Sequence, residues 1–420
     1  MSWLLLIAAL FFVVVVLRFF YKEWKKTLPH TLSNYGQQRR VELLLRFLHD
    51  HPVHLVGAIF GSKHRLTYTR WLIERRDRAV AKSARPHETV VKSETELAGV
   101  PVVLYEPVKK RSDGAVMVFH GGGFVVYGAA PYHYTLGALA EVAGCTIVSV
   151  LYRLAPEHPF PIPLQDCERA ATEFLRVCRE RFGVDERKLV LLGDSAGGSL
   201  AAVVGRRMAN DESLSSRPLA SVLIYPMCQL VDLMGPSYGA RRALYPGTFL
   251  LRARNVSHAY LHYALGHTAP LSSDTHLMRN AHVDENDREH PMVQKYMRYK
   301  TVFDKVNLGF DYQRPEPAKP VPELCALLKP FLFNADFLPL FAREEELRRL
   351  PPTLLVTAQT DVLLDDGIWY AERLRESDVD IRWSHYESEC HGFFGFDSDA
   401  GQRLRKEIAD FVNEHFQSVH

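Results

Sequence analysis

The segment Leu189 to Gly205 reads LVLLGDSAGGSLAAVVG and contains a G-x-S-x-G: Gly193, Asp194, Ser195, Ala196, Gly197. Strand-forming residues stop just before it and a helical pattern begins just after it. A serine on such a corner occupies a tight turn, and its small neighbours let the hydroxyl stand clear of the sheet edge. The N-terminus of the following helix adds positive potential where negative charge would form. A phosphate loop would need a G-K-[ST], which is absent. A serine hydroxyl is a weak nucleophile, so it needs a base, and the base needs an acid to orient it. Among the 19 histidines, His391 in SECHGFFGF is well placed, just after the last strand-like segment. Asp361 directly follows the strand-like TLLVTAQT. Asp365 and Asp366 are rivals for the acid, with a helix N-cap or an exposed first helical turn as their other use. The constellation predicted is Ser195, Asp361 and His391, acting on an ester or amide carbonyl through an acyl-enzyme.

Attack on a carbonyl turns its oxygen into an anion, which backbone N–H groups must meet without side chains in the way. HGGGF, residues 120–124, supplies bare backbone after a strand ending at Phe119. Gly122 and Gly123 are the expected donors, with the N–H of Ala196 as the third. His120 and Gly121 are expected to shape this loop; no second base is needed. The chemistry calls for no metal and no cofactor.

These residues must be held by strands. From about residue 88, short apolar runs (VPVVLYEP, AVMVFHGG, CTIVSVLYRL, KLVLLGDSA, ASVLIYPMC) alternate with amphipathic stretches, and the pattern resumes with PTLLVTAQTD and IRWSHYES. Val/Ile/Leu-rich strands alternating with helices indicate an α/β fold with a mainly parallel sheet, covered on both faces. The order Ser, Asp, His, each at a strand's C-terminal end, fits an α/β-hydrolase fold. Between Val231 and about Leu350 the rhythm is lost, over a length too great for a plain loop. The organisation expected is a membrane anchor with its basic flank (1–26), an N-terminal helical part of a cap (27–87), the first part of the core (88–230), a cap insertion (231–350) and the second part of the core (351–420).

The 420 residues carry a formal net charge of +2, which gives no electrostatic case for nucleic acid. The six cysteines form no C-x-x-C pair, so zinc and thioredoxin-like readings have no support. SWLLLIAALFFVVVVLRFFY, Ser2 to Tyr21, has one charge, Arg18, and is just long enough to span a bilayer as a helix. No Lys or Arg precedes it, which favours an uncleaved anchor over a signal peptide. Arg18, Lys22, Lys25 and Lys26 follow it; by charge alone they would keep the rest of the chain cytosolic. Against that stands the sequon NVS at Asn255, a candidate glycosylation site on the lumenal side.

HGGGF, YRLAPEHPFP (Tyr152–Pro161), GDSAGGSLAA, DVLLDDG and HGF resemble the hormone-sensitive-lipase-like branch of the α/β-hydrolases. The anchor and RRLPPTLLVTAQTDVLLDDG narrow the resemblance to the arylacetamide deacetylase family. It covers nearly the whole chain from about residue 88 and is weaker in the N-terminal helices and in 231–350. It implies a serine esterase of the endoplasmic reticulum membrane, single-pass, with a lumenal catalytic domain. It also implies the same triad and oxyanion residues, and a cap over the site made by the N-terminal helices and the insertion. The implied partners are the membrane and a lipid or small-molecule ester, with aryl amides as a second substrate class. A non-catalytic ligand sensor on the same fold is the alternative, and loss of His391 would have favoured it. A peptidase fits less well, because H-G-G-G is the esterase form of the oxyanion loop. Aromatic cap residues such as Phe249, Phe331 and Phe333 suit an apolar acyl chain or a plain core equally.

Overall fold

Alternate residues of a strand face opposite sides, and here both sides are apolar. In β3 (Ala115–Phe119), Ala115, Met117 and Phe119 join one buried cluster, while Val116 and Val118 join the other. β5 (Leu189–Asp194) repeats this, with Leu189 and Leu191 on the first side and Val190 and Leu192 on the second. A strand buried on both faces belongs in the middle of a helix-covered sheet. The structure is a computed structural model that describes residues 89–419 apart from 127, 129 and 246–250, together with 18, 21, 28, 32, 35, 36, 39, 66–72 and 75.

The remaining strands are β1 (Val90–Leu97), β2 (Val100–Pro107), β4 (Thr146–Val150), β6 (Ala220–Ile224), β7 (Thr353–Thr360) and β8 (Ile381–Cys390). They form one eight-stranded sheet in the order β1-β2-β4-β3-β5-β6-β7-β8. The β1–β2 and β2–β4 pairs are antiparallel and every other pair is parallel. β1 did not stand out in the sequence. Its residues Lys92 to Glu94 are exposed, as an edge strand allows, so it lacks the apolar run that marks the inner strands.

Helices α1 (His133–Ala143), α2 (Ile162–Phe182), α3 (Ala196–Asn210), α4 (Pro236–Leu244), α5 (Ala253–Leu265), α6 (Pro322–Leu332), α7 (Leu364–Glu376) and α8 (Asp399–Ser418) divide between the faces. Leu136, Leu139, Leu404, Ile408 and Phe411 place α1 and α8 on the second cluster. The first takes Ala170 and Phe174 of α2, Leu200 and Val204 of α3, and Ile368 and Trp369 of α7. It also takes Ala259 and Tyr260 of α5 and Leu324 and Leu328 of α6, so the helices between β6 and β7 share their core with that face.

The expected span from Ser2 to Tyr21 lies outside the described residues except for Arg18 and Tyr21, and so does Phe249. Among the described residues, no helix is long and apolar enough to cross a membrane. Leu28 and Leu32 are buried against Cys390. All six cysteines are buried and unpaired.

Candidate active site

β5 ends at Asp194 and α3 begins at Ala196, so the whole turn is Ser195. Its φ of 56° and ψ of −121° are a conformation a non-glycine residue rarely holds. Ser195 N–H donates to Ile224 O at 2.9 Å, and Ser195 O accepts from Met227 N–H at 3.3 Å. The chain leaving β6 therefore pins the corner from both sides. The helix can start so close to the loop after β3 because Gly197 lacks a Cβ, which would sit 1.9 Å from Phe119 O.

β7 and β8 run parallel beside β6, and their ends deliver the partners. His391 Nε2 lies 2.9 Å from Ser195 Oγ, and His391 Nδ1 lies 2.7 Å from Asp361 Oδ2. Asp361 Oδ1 accepts from Leu363 N–H at 2.9 Å, which fixes the carboxylate's tilt. The Asp361 side chain is 0% exposed and that of His391 14%, so of the two only the imidazole reaches the surface. The Tyr225 ring packs against the imidazole, with centroids 4.5 Å apart. An ionised Asp361 can only accept, so Nδ1 carries the proton and Nε2 is free to take one from the serine.

The glycine loop divides into two parts. Gly121 N–H donates to Asp194 Oδ1 and to Tyr132 Oη, each at 2.9 Å. Tyr132 O–H in turn donates to Asp194, 2.9 Å from both carboxylate oxygens. Gly122 and Gly123 follow with φ of 109° and 61°. Among the described residues, nothing accepts from the N–H of Gly122, Gly123 or Ala196. Those three donors are the ones a developing oxyanion would need. α5 lies over the loop, since a Cβ on Gly123 would come within 2.9 Å of Ala259 Cβ.

His120 is buried. Its Nδ1 donates to Gly121 O at 2.8 Å, and its ring stacks on Tyr152 at 4.3 Å. Burial pushes its pKa down to about 4, so it is a neutral brace. Tyr152 O–H donates to His120 O at 2.6 Å. Asp194, Tyr132 and Tyr152 were not singled out from the sequence. Asp194 was legible as the second residue of G-x-S-x-G, and Tyr152 opens YRLAPEHPFP. Burial pushes the Asp194 carboxyl up to about 6 despite these donors.

Asp365 and Asp366 sit in the first turn of α7, as expected, but that turn is buried and not exposed: they are 1% and 0% exposed. Asp366 Oδ2 accepts from Cys228 N–H at 2.8 Å and Gln229 N–H at 3.1 Å, and Oδ1 accepts from Gln229 Nε2 at 2.9 Å. Asp365 accepts from Ser237 N–H at the start of α4. The two carboxylates tie α7 to the chain leaving β6. Burial raises both pKa values, that of Asp366 to about 7. Asn255 is exposed on α5. Among the described residues, no group of His, Cys, Asp and Glu could hold a metal ion.

A family model described as alpha/beta hydrolase fold matches residues 116–302 and 329–395, more than half of the chain. The chain belongs to the α/β-hydrolase fold family. Among curated proteins this α/β-hydrolase is similar to arylacetamide deacetylase of Oryctolagus cuniculus, 32% identical over 78% of this chain and 81% of the relative. It is also similar to arylacetamide deacetylase-like 2 of Homo sapiens, 30% identical over 74% and 75%. Neutral cholesterol ester hydrolase 1 of Pongo abelii is 32% identical over 80% of this chain and 82% of its own. Among solved structures, a fungal esterase from Rhizomucor miehei superposes with a TM-score of 0.61 at 22% identity, covering 84% and 93% of the two chains. An ester hydrolase from the metagenome of Lake Arreo superposes with a TM-score of 0.55 at 25% identity, covering 84% and 91%.

Proposed function

We propose that the chain is a serine carboxylic ester hydrolase working through an acyl-enzyme on Ser195. The observation that carries the reading is the unbroken line Ser195 Oγ, His391, Asp361, at 2.9 and 2.7 Å. His391 Nε2 takes the hydroxyl proton as Oγ attacks the carbonyl carbon. The N–H groups of Gly122, Gly123 and Ala196 receive the oxyanion. His391 then protonates the leaving alkoxide, and a water activated by the same nitrogen releases the acid. A binding-only protein has no use for this alignment.

The side chains packed behind the oxyanion loop are aromatic. Phe124 stacks on Tyr263 with centroids 3.8 Å apart, and Tyr263 stacks on Phe337 at 5.0 Å. Phe160 and Phe331 pack edge-on and tilted against Phe337 at 5.3 and 4.9 Å. Phe124, Tyr263 and Phe337 are fully buried, so this stack is aromatic core that backs the oxyanion loop. The substrate class rests on the names of the relatives, which speak of aryl acetamides and cholesterol esters and support an apolar acyl or aryl group. Phe333 belongs to a separate contact, stacked on His290 at 4.0 Å. With p-nitrophenyl esters from acetate to decanoate, the purified chain is expected to turn over several members, with an initial burst equal to the active sites if deacylation is slow. No turnover of any member would remove the hydrolase reading.

The Ser2–Tyr21 run supports a membrane anchor, and the family resemblance together with the sequon at Asn255 supports the endoplasmic reticulum with the catalytic domain in the lumen. The protein is then expected to stay in the pellet after alkaline carbonate washing and to survive protease added to sealed microsomes, with glycan on Asn255. Digestion of the catalytic domain in sealed vesicles would place it on the cytosolic side.

A further inference from the structure

Arg70, on the helical turn 66–72, reaches the oxyanion loop from a segment remote in sequence. Its Nε donates to Val125 O at 2.7 Å and its Nη2 to Ala155 O at 2.6 Å. Its Nη1 meets Glu157 Oε1 at 2.7 Å. The two carbonyls belong to segments already joined, since Ala155 N–H donates to Phe124 O at 3.0 Å. Val125 and Val126 N–H donate to Gly122 O at 3.1 and 3.0 Å, so the turn that Arg70 grips is the turn that sets the Gly122 peptide. On its other side the loop is held by Asp194 and Tyr132 through Gly121 N–H. One end of the loop is therefore clamped from within the sheet, the other by Arg70.

We propose that Arg70 is a positioning residue that holds the Gly122–Val126 turn in its oxyanion-binding geometry; this rests on the hydrolase reading above. A planar guanidinium can span two carbonyls and a carboxylate at fixed angles, which an ammonium cannot. The arrangement also makes oxyanion geometry depend on residues that precede the sheet. The same N-terminal part places Leu28 and Leu32 against Cys390, the neighbour of His391.

The test uses the full chain with wild type, Arg70→Ala, Arg70→Lys and, as a control, Arg75→Ala, which removes a cation that lies over Trp71 at 4.8 Å. Displacing oxyanion donors by a fraction of an ångström is expected to lower kcat about tenfold in Arg70→Ala, with KM nearly unchanged. Affinity for an aryl trifluoromethyl ketone, whose serine adduct carries an oxyanion, should fall by the same factor as kcat/KM. Arg70→Lys should recover part of both, and Arg75→Ala should match wild type. If Arg70→Ala does not fold, Arg70→Lys decides, by a several-fold loss in kcat and ketone affinity. Wild-type kcat and ketone affinity in the folded Arg70 variant would overturn the clamp and leave the hydrolase reading intact. An inactive wild type would overturn both.

Discussion

Replacing Ser195 by alanine is expected to lower kcat by on the order of 10⁵–10⁶ while leaving the fold in place. The hydroxyl is the only group removed, and its one described side-chain partner is His391 Nε2 at 2.9 Å. The backbone bonds that pin the corner, from Ser195 N to Ile224 O and from Met227 N to Ser195 O, do not involve it. The strained φ of 56° remains, but alanine is not more strained there than serine. Thermal unfolding should therefore move by only a few degrees. A fluorophosphonate probe should label the wild-type protein once, at Ser195, and leave Ser195→Ala unlabelled. His391→Ala should be labelled far more slowly, because the nucleophile would lack its base. Turnover by Ser195→Ala at even a tenth of the wild-type rate would place the reaction elsewhere in the molecule.

The second large effect separates two kinds of buried aspartate. Asp361→Asn is expected to lower kcat about 10⁴-fold. An amide facing His391 Nδ1 can turn its N–H₂ toward the ring, and the proton then belongs on Nε2, where it can no longer accept from Ser195. The side chain keeps its shape and Leu363 N–H keeps an acceptor, so stability should change little. Asp366→Asn is expected to do the reverse. Both of its oxygens accept, and between them they take three donors from Cys228 and Gln229. An amide nitrogen in that position would leave at least one buried donor unsatisfied, at a cost of about 1–3 kcal/mol. The Asp366 variant should melt several degrees lower, yet retain near-normal kcat per titrated active site.

Asp366 also gives a pH dependence. Its folded pKa is raised to about 7, above the ordinary carboxylate value of about 4. The folded state thus binds a proton more tightly than the unfolded one, and the associated stability is present at low pH and lost as pH rises from about 4 through 7. Chemical denaturation of wild type and Asp366→Asn across that range should show a falling contribution in wild type that the amide variant lacks. A turnover loss in Asp366→Asn as large as in Asp361→Asn would reverse the assignment of the acid.

What the sequence determined by itself was local in character. The inner strands were legible because burial on both faces demands unbroken apolar runs, and β3 and β5 supply them within a few residues each. The strand–turn–helix corner at Ser195 was legible because a strand, a G-x-S-x-G and a helix start follow one another without a gap. His391 and Asp361 could be named because each directly follows a strand of a parallel sheet, and parallel strands deliver their C-terminal ends to one edge. What the tertiary structure decided depends on partners far apart in the chain. Asp366 meets Cys228 across 138 positions, so nothing near DVLLDDG could tell a buried tie from an exposed helical turn. Asp194 meets Gly121 across 73 positions and Arg70 meets Val125 across 55. A charged side chain shows in sequence only its charge. Whether it ends in water or in a buried hydrogen-bond network is set by which backbone groups the folded chain leaves without an acceptor or a donor.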